Sequence, residues 1–127
     1  MFSHVTIGSN DIARSGTFYD AVLGALGHTR FYASEHGIGY GETEGDQVWI
    51  LGPFDGKPAT VGNGMMVAFV APDRSSVDAA FAAAMANGGA EEGAPAVREH
   101  YHPNYYGAYF RDPEGNKLCT VCHASPA

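Results

Sequence analysis

The feature that most restricts the fold is an internal repeat: residues 65–122 restate residues 2–52 in weak but ordered form. At a spacing of 62, Val5 falls on Val67, Asp11 on Asp73, Tyr19 on Phe81 and Gly27 on Gly89. Farther along the spacing becomes 70, with Tyr40 on Phe110, Glu44 on Glu114 and Gly45 on Gly115. The second copy therefore carries eight extra residues between Gly89 and Phe110. Hydrophobic pattern and turn chemistry repeat along with the letters, which separates a duplication from chance likeness between two α+β segments.

Residues 1–8 alternate, with Phe2, His4 and Thr6 on one face and Val5 and Ile7 on the other, and this predicts a half-buried strand. A helix capped by Ser9, Asn10 or Asp11 follows, with Ile12, Tyr19, Val22, Leu23 and Leu26 as its apolar stripe and Gly27 at its end. Residues 31–34, 37–41 and 47–51 read as strands, the last two joined by the turn Glu44-Gly45-Asp46. Residues 53–63, rich in Gly and Pro, are the linker. The second copy repeats the order. It has a strand over 65–71 and a helix over 73–87 with Val77, Phe81, Ala84 and Met85 inward. A weak strand over 95–100 and better ones over 107–111 and 117–123 follow. Asp112-Pro113-Glu114-Gly115 is the hairpin turn, and Arg111, Asp112, Glu44 and Glu114 read as solvated charges beside turns.

Each copy is thus a βαβββ module, about 1–52 and about 64–123, within a single domain. One helix covers one sheet face, and two such units side by side curve their sheets into a partly open cup with helices outside. A chain of 127 residues buries roughly two-thirds of its unfolded surface and needs no disulfide or metal to fold. A net charge of −7, with seven scattered Lys and Arg, excludes a phosphate-backbone binder. No window has the ~18 apolar residues of a spanning helix, and no basic leader opens the chain, so a cytoplasmic location is the expectation. Cys119 and Cys122 form a C-x-x-C, but in a strand they point to opposite faces, unlike the redox motif that opens a helix.

The Asp112-Pro113-Glu114-Gly115-Asn116 turn, the Phe18-Tyr19 pair followed by Leu23-Gly24, and the doubled module together resemble the vicinal oxygen chelate superfamily. That group includes glyoxalase I, bleomycin-resistance proteins, fosfomycin-resistance enzymes and extradiol dioxygenases. The resemblance implies the glyoxalase/bleomycin-resistance fold and, in the enzymes, a divalent metal held by the first and last strand of each module. Carried onto this chain, those positions are His4, Trp49, Met66 and Cys119. Indole does not coordinate, a thioether is a weak donor, and no carboxylate is present, so the expectation is that the usual metal site is lost and no cofactor is needed.

The ligand-binding residues expected on the concave face are then His4, Trp49, Met66 and Cys119, joined by His100, His102, Tyr105 and Tyr106 from the extra segment. Three tyrosines and two histidines in residues 100–106 are unusual for a structureless connection and suit a lid. His4 and Cys119 are the candidates for catalysis, as base and nucleophile. Plainer readings stand beside each: a cavity-lining imidazole for His4, core packing for Trp49 and Met66, an inert thiol for Cys119, and a stiff loop against a neighbouring subunit for residues 100–106. Three functions follow. The first is a binder of a small planar or aromatic molecule. The second is a metal-dependent lyase, isomerase or dioxygenase with ligands rearranged among His4, Cys119, His100 and His102. The third is an interaction module without ligand. A homodimer is expected in each case, from the resemblance and from the open sheet edges.

Overall fold

The structure is a computed structural model that describes residues 1–126. Its elements are β1 (His4–Gly8), α1 (Ile12–Ala25), β2 (Arg30–Ser34), β3 (Gly37–Gly41), β4 (Gln47–Leu51), β5 (Val67–Val70), α2 (Arg74–Ala86), β6 (Ala90–Val97), β7 (Tyr106–Arg111) and β8 (Lys117–Cys122). They form two open four-stranded mixed sheets of the same order, β1-β4-β3-β2 and β5-β8-β7-β6. In each, the first and last strands of the module pair in parallel and the remaining pairs are antiparallel.

The duplication extends to the helix ends. Asp11 caps α1 by accepting the Arg14 N–H at 3.0 Å, and Asp73 caps α2 by accepting the Ser76 N–H at 2.7 Å. Beyond each helix one glycine takes a left-handed turn, Gly27 at φ +92 and Gly88 at φ +92. The conformational counterpart of Gly27 is therefore Gly88, one residue before the match by letters. At α1 the His28 N–H reaches Leu23 O at 2.9 Å and the Gly27 N–H reaches Gly24 O at 3.0 Å, a Schellman closure.

One continuous core joins the modules. Phe18 of α1 is fully buried, with its ring centroid 6.2 Å from that of Phe110 on β7; Phe110 in turn lies 6.2 Å from Phe81 of α2. The small buried residues Ala80 and Ala84 of α2 let the two helices approach closely. Truncating a fully buried phenylalanine such as Phe18 typically costs about 3–5 kcal/mol.

Two expectations are corrected. The strand expected over 95–100 runs instead over Ala90–Val97. It is an edge strand whose register slips between Glu91 and Gly93 and again between Gly93 and Ala96, which is how the ladder accommodates Pro95. The second correction concerns the Asp112–Asn116 turn. Glu44 is exposed as expected, but Asp112 is buried. Its Oδ2 accepts the Tyr19 hydroxyl at 2.6 Å and the Asn116 side-chain amide at 2.9 Å, while Oδ1 accepts the N–H groups of Glu114 and Asn116, each at 2.9 Å. Glu114 is half-buried and accepts from the Asn10 N–H at 3.0 Å, the Asn10 side chain at 3.1 Å and the Arg14 guanidinium at 3.1 Å. Asn116 also donates to Gly8 O at 3.1 Å. The turn is a clasp that fastens the second module to the β1–α1 corner of the first.

Candidate functional site

Strand parity decides which side chains face away from the helices. In the first sheet Ile7, Ile38, Tyr40 and Ile50 enter the core, so His4, Thr6, Gln47 and Trp49 lie on the open face. The register sets His4 opposite Gln47 and Thr6 opposite Trp49. Gln47 Oε1 accepts the Trp49 indole N–H at 3.0 Å. The register slip between Arg30 and Tyr32 brings two consecutive aromatics to the indole: Phe31 edge-on at 5.3 Å and Tyr32 tilted at 5.4 Å. Gly39 makes the seat, because a Cβ there would lie 3.0 Å from Phe31 and 3.1 Å from the Trp49 ring. The result is a half-buried aromatic shelf. His4 is exposed, bonded through Nδ1 to Ser3 Oγ at 2.8 Å, and lines a groove of ≈ 480 Å³ with Val5, Val48, Val67 and Phe69. That groove runs between β1 and β5; Trp49, Met66 and Cys119 are not in its lining.

In the second sheet Leu118 and Cys122 face the helix, so Lys117, Cys119, Val121 and Tyr109 occupy the open face. Met66 precedes β5 and is exposed. Cys119 is fully buried, and Tyr105, from the connection between β6 and β7, reaches its sulfur. This connection is a closed hairpin: the Arg98 N–H donates to Tyr105 O at 2.7 Å and the Tyr105 N–H to His102 O at 3.2 Å. The Tyr105 hydroxyl lies 2.8 Å from the Tyr109 hydroxyl and 3.7 Å from Cys119 Sγ. Burial pushes the Cys119 thiol up, against the weaker opposing effect of the tyrosine hydrogen bonds. The Tyr105 hydroxyl is raised by burial first and then by its bond to Tyr109. Cys119 is therefore a protonated, covered thiol and not a poised nucleophile.

His102 pins the same hairpin. Its Nδ1 accepts the Asn104 N–H at 3.1 Å, so in the neutral ring the proton sits on Nε2, which lies 2.8 Å from His123 Nδ1. His102 and Tyr105 thus serve one closed loop, with His100 tilted against the exposed Tyr101 at 4.2 Å. Tyr106 does not belong with them. It begins β7 on the helix face and donates its hydroxyl to Asp78 at 2.6 Å beneath Arg74, so its expected place in a lid is corrected.

The four positions that the resemblance marks for a metal therefore divide into two pairs, His4 and Trp49 on the first sheet and Met66 and Cys119 just before or within the second, and no hydrogen bond, ion pair or ring contact among the described residues joins any two of them. The Trp49 N–H is committed to Gln47, and the Cys119 sulfur is capped by Tyr105. Among the described residues no three His, Cys, Asp or Glu side chains gather as ligands. These residues do not fit a divalent cation. Several participants were not singled out from sequence. Parity alone assigns Tyr109 and Lys117 to the face of Cys119. Arg98 lies at the end of a strand whose limits were displaced, and Phe31 and Tyr32 together depend on a register slip that leaves no mark in the letters.

No helix among the described residues is long and apolar enough to cross a membrane. No curated protein matches the chain. Among solved structures it is similar to a glyoxalase/bleomycin resistance protein from Albidiferax ferrireducens T118, with 41% identity over 98% of this chain and 99% of that chain and a TM-score of 0.87. It shares its fold with a glyoxalase/bleomycin resistance protein/dioxygenase family enzyme from Burkholderia phytofirmans PsJN (21% identity, 96% and 98% coverage, TM-score 0.72). The same holds for a lactoylglutathione lyase from Agrobacterium tumefaciens (17% identity, 96% and 92% coverage, TM-score 0.66). The sequence profile of the Glyoxalase/Bleomycin resistance protein/Dioxygenase superfamily matches residues 1–120, and the chain belongs to that superfamily.

Proposed function

We propose that the protein binds a small planar or aromatic molecule and sequesters it, without a metal. The observation that carries this reading is the Trp49 shelf: an indole backed by Phe31, seated over Gly39, and with its only N–H already bonded to Gln47. Such a surface offers apolar ring area with the indole N–H already satisfied, which suits stacking of a planar ring. Trp49 is the only tryptophan, so its fluorescence reports the shelf directly. Titration with a panel of planar aromatics should give saturable quenching for some and none for aliphatic compounds of equal size. Uniform lack of quenching across the panel would leave the shelf as packing surface and sink the proposal.

The same reading takes the family's metal site as degraded, for the donor chemistry already given. Protein purified without tag or chelator should carry well under one equivalent of any transition metal. A stoichiometric ion lost on substitution of His4 or Cys119 would overturn this. We further infer a cytoplasmic homodimer, supported by the exposed apolar side chains of Phe2, Met66 and Val70 beside the open edges β1 and β5. Light scattering at micromolar concentration tests the dimer, and a monomeric mass would refute it.

A further inference from the structure

The open face of the second sheet carries a feature that the aromatic shelf does not use. The protein has seven basic residues against fourteen acidic ones. Arg14, Arg30 and Arg111 are each paired with a carboxylate, from Glu114, Asp20 and Glu92. Arg98 and Lys117 have no carboxylate at ion-pair distance among the described residues, although acidic side chains outnumber basic ones. Both flank one ring: the Arg98 guanidinium lies 5.4 Å from the Tyr109 centroid and Lys117 Nζ lies 5.8 Å from it.

The surroundings are fitted to hold Arg98 there. One Nη donates to Ala94 O at 2.6 Å, and Nε is buried without an acceptor. Gly93 leaves the room: a Cβ at that position would lie 3.1 Å from the guanidinium and 3.4 Å from the Tyr109 ring. The ring between the two cations is itself held in place, its hydroxyl 2.8 Å from that of Tyr105.

We propose that this face is an anion subsite that takes the carboxylate of a small molecule, held by Arg98 and Lys117 beside the Tyr109 ring. A carboxylate is favoured over a phosphate on two grounds. A guanidinium fork matches two coplanar oxygens. A phosphate in a chain of net charge −7 is better served by the N–H groups of a helix N-terminus, whereas α1 and α2 both cover the opposite side of the sheets. The subsite is independent of the Trp49 shelf, which lies on the other sheet.

Calorimetry of the full chain at low ionic strength tests this with three probes: benzoate, its neutral isostere benzamide, and inorganic phosphate. Benzoate should bind at least tenfold more tightly than benzamide and more tightly than phosphate, and added salt should weaken it. Arg98→Gln and Lys117→Gln should each weaken benzoate about tenfold at unchanged melting temperature, and Trp49→Phe should leave it unaltered. Should Arg98→Gln unfold the chain, Lys117→Gln carries the test, since that side chain makes no hydrogen bond or ion pair among the described residues and holds only the ring contact and a longer-range attraction to Glu92. Equal binding of benzoate and benzamide, no binding of benzoate, tighter binding of phosphate, or retention of affinity in Lys117→Gln would each overturn the assignment. Loss of benzoate in Trp49→Phe with retention in Lys117→Gln would overturn it while supporting the shelf.

Discussion

Asp112→Ala should be among the most damaging single changes in the chain, although the residue looks like an ordinary turn aspartate in sequence. Its carboxylate accepts from the Tyr19 hydroxyl, the Asn116 side chain and two turn N–H groups. Removing it strands the Tyr19 hydroxyl at a fully buried position. A buried donor left without an acceptor costs about 1–3 kcal/mol. The three other donors lie at half-buried residues where water recovers part of the loss, so the sum comes to about 3–4 kcal/mol. At roughly 3–5 °C per kcal/mol for a chain of this size, the melting temperature should fall by about 10–20 °C. Tyr19→Phe alone should cost about 1.5 kcal/mol, the worth of one hydrogen bond to a charged acceptor. The decisive measurement is the double-mutant cycle by urea unfolding. In the Asp112→Ala background the Tyr19 hydroxyl is already a liability, so Tyr19→Phe should cost nothing or stabilise. If Tyr19→Phe costs the same in both backgrounds, the two side chains are not coupled and the clasp is not what fastens the modules.

The cover on Cys119 predicts thiol reactivity: the native thiol should be attacked slowly by an aromatic disulfide reagent at mildly alkaline pH, and Tyr105→Ala should speed it at least tenfold, while an unchanged rate would mean that Tyr105 does not shield the sulfur. Burial alone would raise the Glu114 carboxyl, but the Asn10 N–H, the Arg14 guanidinium and the Asn10 side chain outweigh it and hold it below the usual value. A depressed folded value stabilises above the unfolded pKa of about 4.3 and is lost as pH falls through the folded one, so Glu114→Gln should flatten the stability profile below about pH 4.3 and lower stability at pH 7. Gly39→Val should displace the indole, blue- or red-shifting Trp49 emission and abolishing any quenching by planar compounds, whereas an unchanged spectrum would show that the seat is not needed.

How much of this was legible in the letters depended on which physical rule governed each part. The modules and their order follow from periodicity and from turn chemistry; Asp11 is the one of three candidate caps that the first helix uses, and Gly27 ends that helix as expected. Strand parity placed His4 away from the side of Val5 and Ile7 and separated Cys119 from Cys122, while Trp49 was placed by the family resemblance. The limits of β6 were not legible, because two register slips around Gly93 depend on the partner strand. The clasp was hidden for a related reason: Tyr19 and Asp112 are far apart in sequence, and a buried carboxylate in a turn looks like a solvated one until its distant donor is known. Tyr106 was assigned to the lid by its position in an aromatic run, but the first residue of β7 is committed to one face by pairing with Cys122.

The clasp also divides the two hairpin tips of the duplication. Phe81 stands where Tyr19 does and cannot donate, and residues 42–46 are exposed. The second module's tip is therefore sewn to the other half of the molecule, and the first module's is held only by its own hairpin. A peptide epitope or a reporter domain grafted at Thr43–Glu44 disturbs only the local bonds from the Gln47 amide to Glu42 O and Thr43 O, whereas the same graft at Pro113–Glu114 unpicks the seam between the halves. Duplication left this protein with a spare corner, and that corner is where an engineer should cut.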